Sequence, residues 1–197
     1  MSLESVWNNC LNFIKDNIQD QAYKTWFEPI QPVKLDDNVL SIQVPSKFFY
    51  EWLIEFARNV VNLQNANSTE MDISTKHPVI TLMENQIDVD QKGGTMRLGS
   101  WKCKIEKNTL AKKIYKKEVI AERHRHRYEL NFEYMDKLKK AGMVFSGLNP
   151  ETGLVEIIEI PNHDWFVGVQ FHPEYQSTVK NPHPLFVSFV EACKKTI

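Results

Sequence analysis

The sequence predicts an α/β chain, α+β overall, in which two parts share one helix, and three observations carry that expectation. The first half reads by periodicity as helix, helix, strand, strand, helix. The second half holds β-branched runs bounded by Asn, Gly and Pro, which read as strands. All seven glycines lie at or beyond Gly93, so nothing before that point is specialised for positive φ or for close backbone approach to a ligand. Any function that needs a glycine turn is expected in the second half.

Composition narrows the function classes. With 197 residues, 24 basic and 25 acidic side chains, the formal charge is −1, which argues against a broad nucleic-acid or membrane-binding surface. No apolar run approaches the roughly 20 residues of a membrane helix, and the start lacks a basic segment followed by an apolar one. A cytoplasmic protein is expected. Cys10, Cys103 and Cys193 are odd in number, far apart and without CxxC spacing, so they read as reduced thiols, with neither a disulfide framework nor a zinc site.

Val6, Trp7, Cys10, Leu11, Phe13, Ile14 and Ile18 recur at helical spacing and define a first amphipathic helix. After Asp20, Ala22, Tyr23, Trp26 and Phe27 form a second short helix that Pro29 ends. Pro32 to Leu35 and Val39 to Val44 read as a hairpin around Asp36, Asp37 and Asn38. Ser46 is a candidate N-cap for a third helix. Its apolar face is Phe48, Phe49, Trp52, Leu53, Phe56, Ala57, Val60 and Val61.

The segment VWNNCLNFIKDNIQDQAYKTWFEPIQPVKLDDNVLSIQVPSKFFYEWL resembles the N-terminal domain of the bacterial replication initiator DnaA, over about residues 3 to 53. That resemblance implies a small KH-like αβ module at 1–53 that self-associates and docks a replicative helicase. Self-association is implied around Trp7 and helicase contact around Phe48. Read from the residues alone, these aromatics are core packing.

From Ile54 the resemblance changes. IEFARNVVNLQNANSTEMD, GGTMRLGSWKC, ERHRHRYELN, AGMVFSGLNPETGLVEIIEIPNHDWFVGVQFHPEYQS and HPLFVSFVEACKK resemble, in unbroken order, the class I glutamine amidotransferase domain of CTP synthase. The implied domain is a truncated α/β unit at 54–197. In that family the domain hydrolyses glutamine and sends ammonia to a synthetase domain, where ATP activates UTP for amination to CTP. No cofactor is expected in this chain; the full family enzyme uses ATP and Mg.

The residues themselves point to parts of that chemistry. Val155 to Ile160 and Phe166 to Phe171 read as strands, and His172 and Glu174 follow the second, two residues apart across Pro173. A His beside a carboxylate is the base half of a nucleophile, base and orienter arrangement. The resemblance implies that His172 is the general base and Glu174 its orienter. Arg123, Arg125 and Arg127 alternate with His124 and His126; in an extended strand the three guanidiniums share a face and need an anion, a carboxylate such as Glu122 or Glu129, or solvent. The resemblance implies that Arg127 holds the glutamine α-carboxylate and Glu70 its α-amino group. His124 and His126 lack a third ligand at useful spacing, and no metal site is expected. Gly93 and Gly94 read as a turn, and Met135, Leu138 and Ala141 as a short helix stopped by Gly142.

One element of the family machinery is not legible. A class I amidotransferase attacks the side-chain amide with a cysteine held on a sharp turn among small residues, so that backbone N–H groups meet the oxyanion. Counting back along the matching helix puts Ser46 at that position, within VPSKFFYEWL, where its neighbours are bulky. Cys10, Cys103 and Cys193 lie on predicted helices or strands. The expectation is therefore an amidotransferase fragment inactive by itself, whose central parallel strands are cut at the junction. Two alternatives stand beside it: a DnaA-type interaction module carrying a passenger, or a composite reading frame with no function as a whole.

Overall fold

A computed structural model describes residues 3–16, 23, 28, 31–36, 39–43, 48–82 and 96–195. The chain divides into two compact units, one of 1–47 with 193–197 and the other of 48–192. Among the described residues no helix is long and apolar enough to cross a membrane.

In the first unit, α1 (Leu3–Lys15) is the expected amphipathic helix, with Trp7 buried and Asn8 and Asn9 exposed. β1 (Gln31–Asp36) and β2 (Val39–Gln43) pair antiparallel from Gln31 opposite Gln43 to Asp36 opposite Val39. The ladder slips between Pro32 and Lys34, where proline has no N–H to donate. Tyr23 is buried. The rest of the expected second helix, the Asp37–Asn38 turn and Ser46 lie outside the described residues.

The second unit begins with α2 (Phe48–Asn59). Its buried residues Leu53, Ile54, Phe56 and Ala57 follow a helical repeat and enter the larger core, with Ala66, Val79, Ile80, Leu130, Leu138, Met143 and Ile158. The helix ends two residues short of the expected Val61. The N–H groups of both Val60 and Val61 turn to the Phe56 carbonyl, and Asn62 enters the left-handed region at φ 60°.

β3 (Ala66–Ser68) runs parallel to β4 (His77–Thr81), which pairs antiparallel with β7 (Glu129–Leu130). This small sheet keeps one parallel pair. α2 packs on β3 and β4, and Ala66, Val79 and Ile80 are fully buried.

A second, antiparallel sheet has the order β10 (Val167–Val169), β9 (Val155–Glu159), β8 (Val144–Leu148), β5 (Arg97–Ile105), β6 (Val119–His126). Between β5 and β6, α3 (Leu110–Tyr115) is capped by the Thr109 hydroxyl, which accepts from the Lys112 N–H. The Glu159 carboxylate accepts the first-turn N–H groups of Leu110 and Ala111 at 2.8 and 2.7 Å, which places an anion at the positive helix end. α4 (Met135–Lys140) stops as expected at Gly142, whose φ is +101°. α5 (Pro184–Lys195) is the last helix, tied to the β9–β10 loop by the Trp165 indole N–H donating to the Ser188 hydroxyl.

Gly147 sits where β8 crosses β9 with a slipped register. A Cβ there would lie 2.6 Å from both Cys103 Sγ and Ile157 Cγ1, inside any tolerable contact. We expect Gly147→Ala to lower stability by about 1–3 kcal/mol, the usual cost of overpacking a tight core. Equilibrium urea unfolding reads this directly, and an unchanged midpoint would show that the β8–β9 contact relaxes freely.

Candidate functional site

β10 pairs with β9 from Val167 to Val169, and Gln170 and Phe171, both buried, then lead to His172. The His172 backbone N–H donates to the Arg123 carbonyl of β6 at 2.8 Å, which fixes the chain across the sheet end. Pro173 opens a single 3-10 turn, Pro173–Gln176, because its fixed φ suits the start of a helical turn and its missing N–H is not needed there. That turn returns Glu174 to its neighbour: the His172 Nδ1 and Glu174 Oε1 are 2.7 Å apart. With Nδ1 facing the carboxylate, Nε2 is the ring nitrogen left for a reacting group. Tyr175 stacks on the imidazole with ring centres 5.1 Å apart, and the Arg123 guanidinium lies 5.9 Å from the Tyr175 ring centre.

The arginine triplet is not one face. β6 ends at His126, with Arg123 and Arg125 exposed and Arg127 half-buried beyond the strand. The carboxylates offered as surface partners, Glu122 and Glu129, are instead 4% and 1% exposed. Glu122 belongs to the inward face of β6, with His124 and His126, while Glu129 is buried on β7 of the other sheet.

That inward face builds a charged network missed at the sequence level. Arg97 donates through Nη2 to Glu156 Oε1 at 2.6 Å and through Nη1 to Glu129 Oε1 at 3.1 Å. His124 Nε2 meets the other Glu156 oxygen at 2.6 Å, and His126 Nε2 meets Glu129 Oε1 at 2.9 Å. Burial alone would raise the Glu156 carboxyl, yet the hydrogen bonds from His124 and Arg97 outweigh it and hold it below its ordinary value. Burial pulls His126 below the usual imidazole range, and Arg97 and His124 add to that against the Glu129 carboxylate. The two histidines that suggested a metal are engaged by carboxylates. A second buried group joins Glu122 to His183 at 3.0 Å, to Tyr115 at 3.2 Å and to Gln176 at 2.8 Å. The signal available in the sequence was Glu156 itself, a carboxylate in the middle of an apolar strand run, which must find a partner.

Glu70 lies exposed just after β3, its N–H donating to the Ser68 hydroxyl. No hydrogen bond or ion pair joins it to Arg127 among the described residues. Tyr128, next to Arg127, offers a carbonyl that accepts from the Tyr50 hydroxyl at 2.8 Å and from Gln170 Nε2 at 2.9 Å. Phe48 opens α2, its side chain outside the described residues, as are Ser46, Gly93, Gly94 and the Cys193 side chain. Trp7 is buried in α1. Cys103 is fully buried in β5, and burial, reinforced by Glu156 and Glu122, pushes its thiol far up, so it stays protonated and unreactive. Cys10 is half-buried on α1.

Comparison with known proteins agrees with these two patterns. The model of the DnaA N-terminal domain matches residues 4–62, and that of class I glutamine amidotransferases matches residues 53–192. The CTP synthase of Christiangramia forsetii is 63% identical over 140 residues, 71% of this chain and 26% of that protein. That of Aquifex aeolicus is 56% identical over the same shares. A Trypanosoma brucei CTPS glutaminase domain, solved with bound acivicin, superposes with a TM-score of 0.68 at 39% identity, covering 74% of this chain and 57% of that one. The chain thus spans about a quarter of the length of the CTP synthases it matches. From Leu53 to Ala192, where the ordered His172–Glu174 pair sits, the chain belongs to the class I glutamine amidotransferase family, with a domain of the CTP synthase glutaminase type.

Proposed function

We propose that this chain is a glutaminase-type domain that keeps the base, its orienting carboxylate and the residues for recognising glutamine, and cannot by itself hydrolyse glutamine. The observation that supports the reading is the His172–Glu174 pair, held at 2.7 Å at a sheet end, in a chain whose helix leading to IEFARN begins with bulky side chains instead of a cysteine on a small-residue turn. His172 would accept the proton of an attacking nucleophile and Glu174 would stabilise the resulting imidazolium. Arg127 and Glu70 would take the two charges of the amino acid. In the family the ammonia so released converts UTP to CTP in a synthetase domain. Without the attacking thiolate the base has nothing to activate: losing the nucleophile of such a unit costs on the order of a millionfold in rate. We expect ammonia release from glutamine by the purified chain to equal the background, with His172→Ala no different. Release above background that His172→Ala abolishes would overturn the proposal.

The match of residues 4–62 to the DnaA N-terminal domain supports a second reading, an interaction module that docks a replicative helicase or a second copy of itself. Phe48→Ala should then weaken helicase capture at least tenfold in a binding titration while the melting transition persists. Equal capture by the two forms would count against it.

A further inference from the structure

The first turn of α2 carries a side chain that glutamine chemistry does not require. Tyr50 lies four residues after Ser46 and packs against the larger core of the second unit. Its hydroxyl donates to the Tyr128 carbonyl at 2.8 Å, across 78 residues of sequence. The same oxygen accepts Gln170 Nε2 at 2.9 Å. A carbonyl oxygen has two lone pairs, so no place remains there for a third donor such as an ammonium group.

Tyr50 therefore meets the backbone next to a residue expected to hold glutamine. Tyr128 follows Arg127 directly in the chain. Burial first, then the Glu129 and Glu70 carboxylates, push the hydroxyl up from its ordinary value, while Gln170 and Arg97 oppose them. The phenol therefore remains a neutral donor. Among the described residues, Gln170 Oε1, on the side chain that shares the Tyr128 carbonyl with Tyr50, is a buried acceptor without a hydrogen-bond partner, and so, as a donor, is Nε of Arg127, the residue before Tyr128. Such leftovers are costly unless a bound group completes them.

We propose that Tyr50 is a built-in plug of the glutamine site, its ring filling space that the amino acid would occupy and its hydroxyl capping the Tyr128 carbonyl. The chain as it stands would then not take up free glutamine, for a reason separate from its missing nucleophile. The plug rests on reading Arg127 and Glu70 as the groups that grip glutamine.

Titration calorimetry with L-glutamine tests it on the full chain and on two variants, with circular dichroism as the fold control. Tyr50→Ala empties the position. Tyr50→Leu keeps a good helix former and an apolar stem against the core while removing the distal ring and hydroxyl. No saturable heat is expected from the unaltered chain. Both variants should bind, at least tenfold more tightly, and adding Arg127→Ala to Tyr50→Leu should remove that binding. If the unaltered chain binds as well as the variants, the plug is wrong and the glutamine site stands. If the folded variants do not bind either, the reading of Arg127 and Glu70 fails and the plug with it.

Discussion

Arg97→Met is expected to lower stability by about 3–5 kcal/mol, the range found when one partner of a buried ion pair is removed and the other is left behind. Arg97 holds two carboxylates, Glu156 and Glu129, whose side chains are 0% and 2% exposed. Methionine preserves the length and apolar stem of the side chain but supplies no proton. Both carboxylates would then face the interior with only His124 and His126 beside them. Against a total stability of about 5–15 kcal/mol for a domain, this is enough to leave much of the chain unfolded at 37 °C. Urea denaturation followed by tryptophan fluorescence measures the loss. A cost below about 1 kcal/mol, the scale of a surface pair, would mean that water reaches the network and that the burial seen here does not persist in solution.

Acid should dismantle the same network in two stages. His126 titrates below its ordinary 6.5 in the folded chain, so the unfolded chain takes up the proton first as pH falls, and stability declines from about pH 6.5 downward through the folded value. Glu156 is likewise held below its ordinary 4.5. Its contribution is fully present above pH 4.5 and is lost as pH falls through the depressed folded value. Both shifts have the same sign, so the melting temperature should fall on going from pH 7 to 5 and again, more steeply, below 4.5. Replacing His126 with Gln should remove the first stage and leave the second. A melting temperature flat between pH 7 and 5 in the unaltered chain would show that folding leaves the His126 titration unshifted, and one that rises would show that the fold favours its charged form; either overturns the first stage.

What could be seen in the sequence followed from local rules. The strands around Val155 and Val167 announce themselves by β-branched residues between Pro, Gly and Asn, and the α4 stop by Gly142, because period and turn chemistry are properties of neighbouring residues. The His172–Glu174 pair was legible for the same reason: a proline between them at a strand end sets their separation. The partners of Glu156 were not. Arg97 is 59 residues away, on β5, and the β8–β9 and β5–β8 pairings are what bring its strand and that of Glu156 into one sheet. The reading of Glu122 and Glu129 as surface partners for arginine failed for two reasons: alternation along β6 put Glu122 inward with the histidines and left Arg123 and Arg125 in water, and Glu129 is carried past the end of β6 onto β7, where it is buried in the other sheet. Tyr50 was hidden for a third reason. An aromatic at a helix start reads as core until a distant backbone carbonyl is found to receive its hydroxyl.

The helix Phe48–Asn59 sits where the two family matches overlap, and that has a consequence for how such a chain can be assembled. A seam inside a helix constrains rotation more than sequence, since each added or lost residue turns everything before it by about 100° relative to everything after. Leu53, Ile54 and Ala57 are held in the core of the second unit, so an in-frame codon gained between Tyr50 and Leu53 would leave that core intact and swing Tyr50 away from Tyr128. Angular phase at the seam, set in whole residues, thereby decides which side chain of the helix meets the Tyr128 carbonyl.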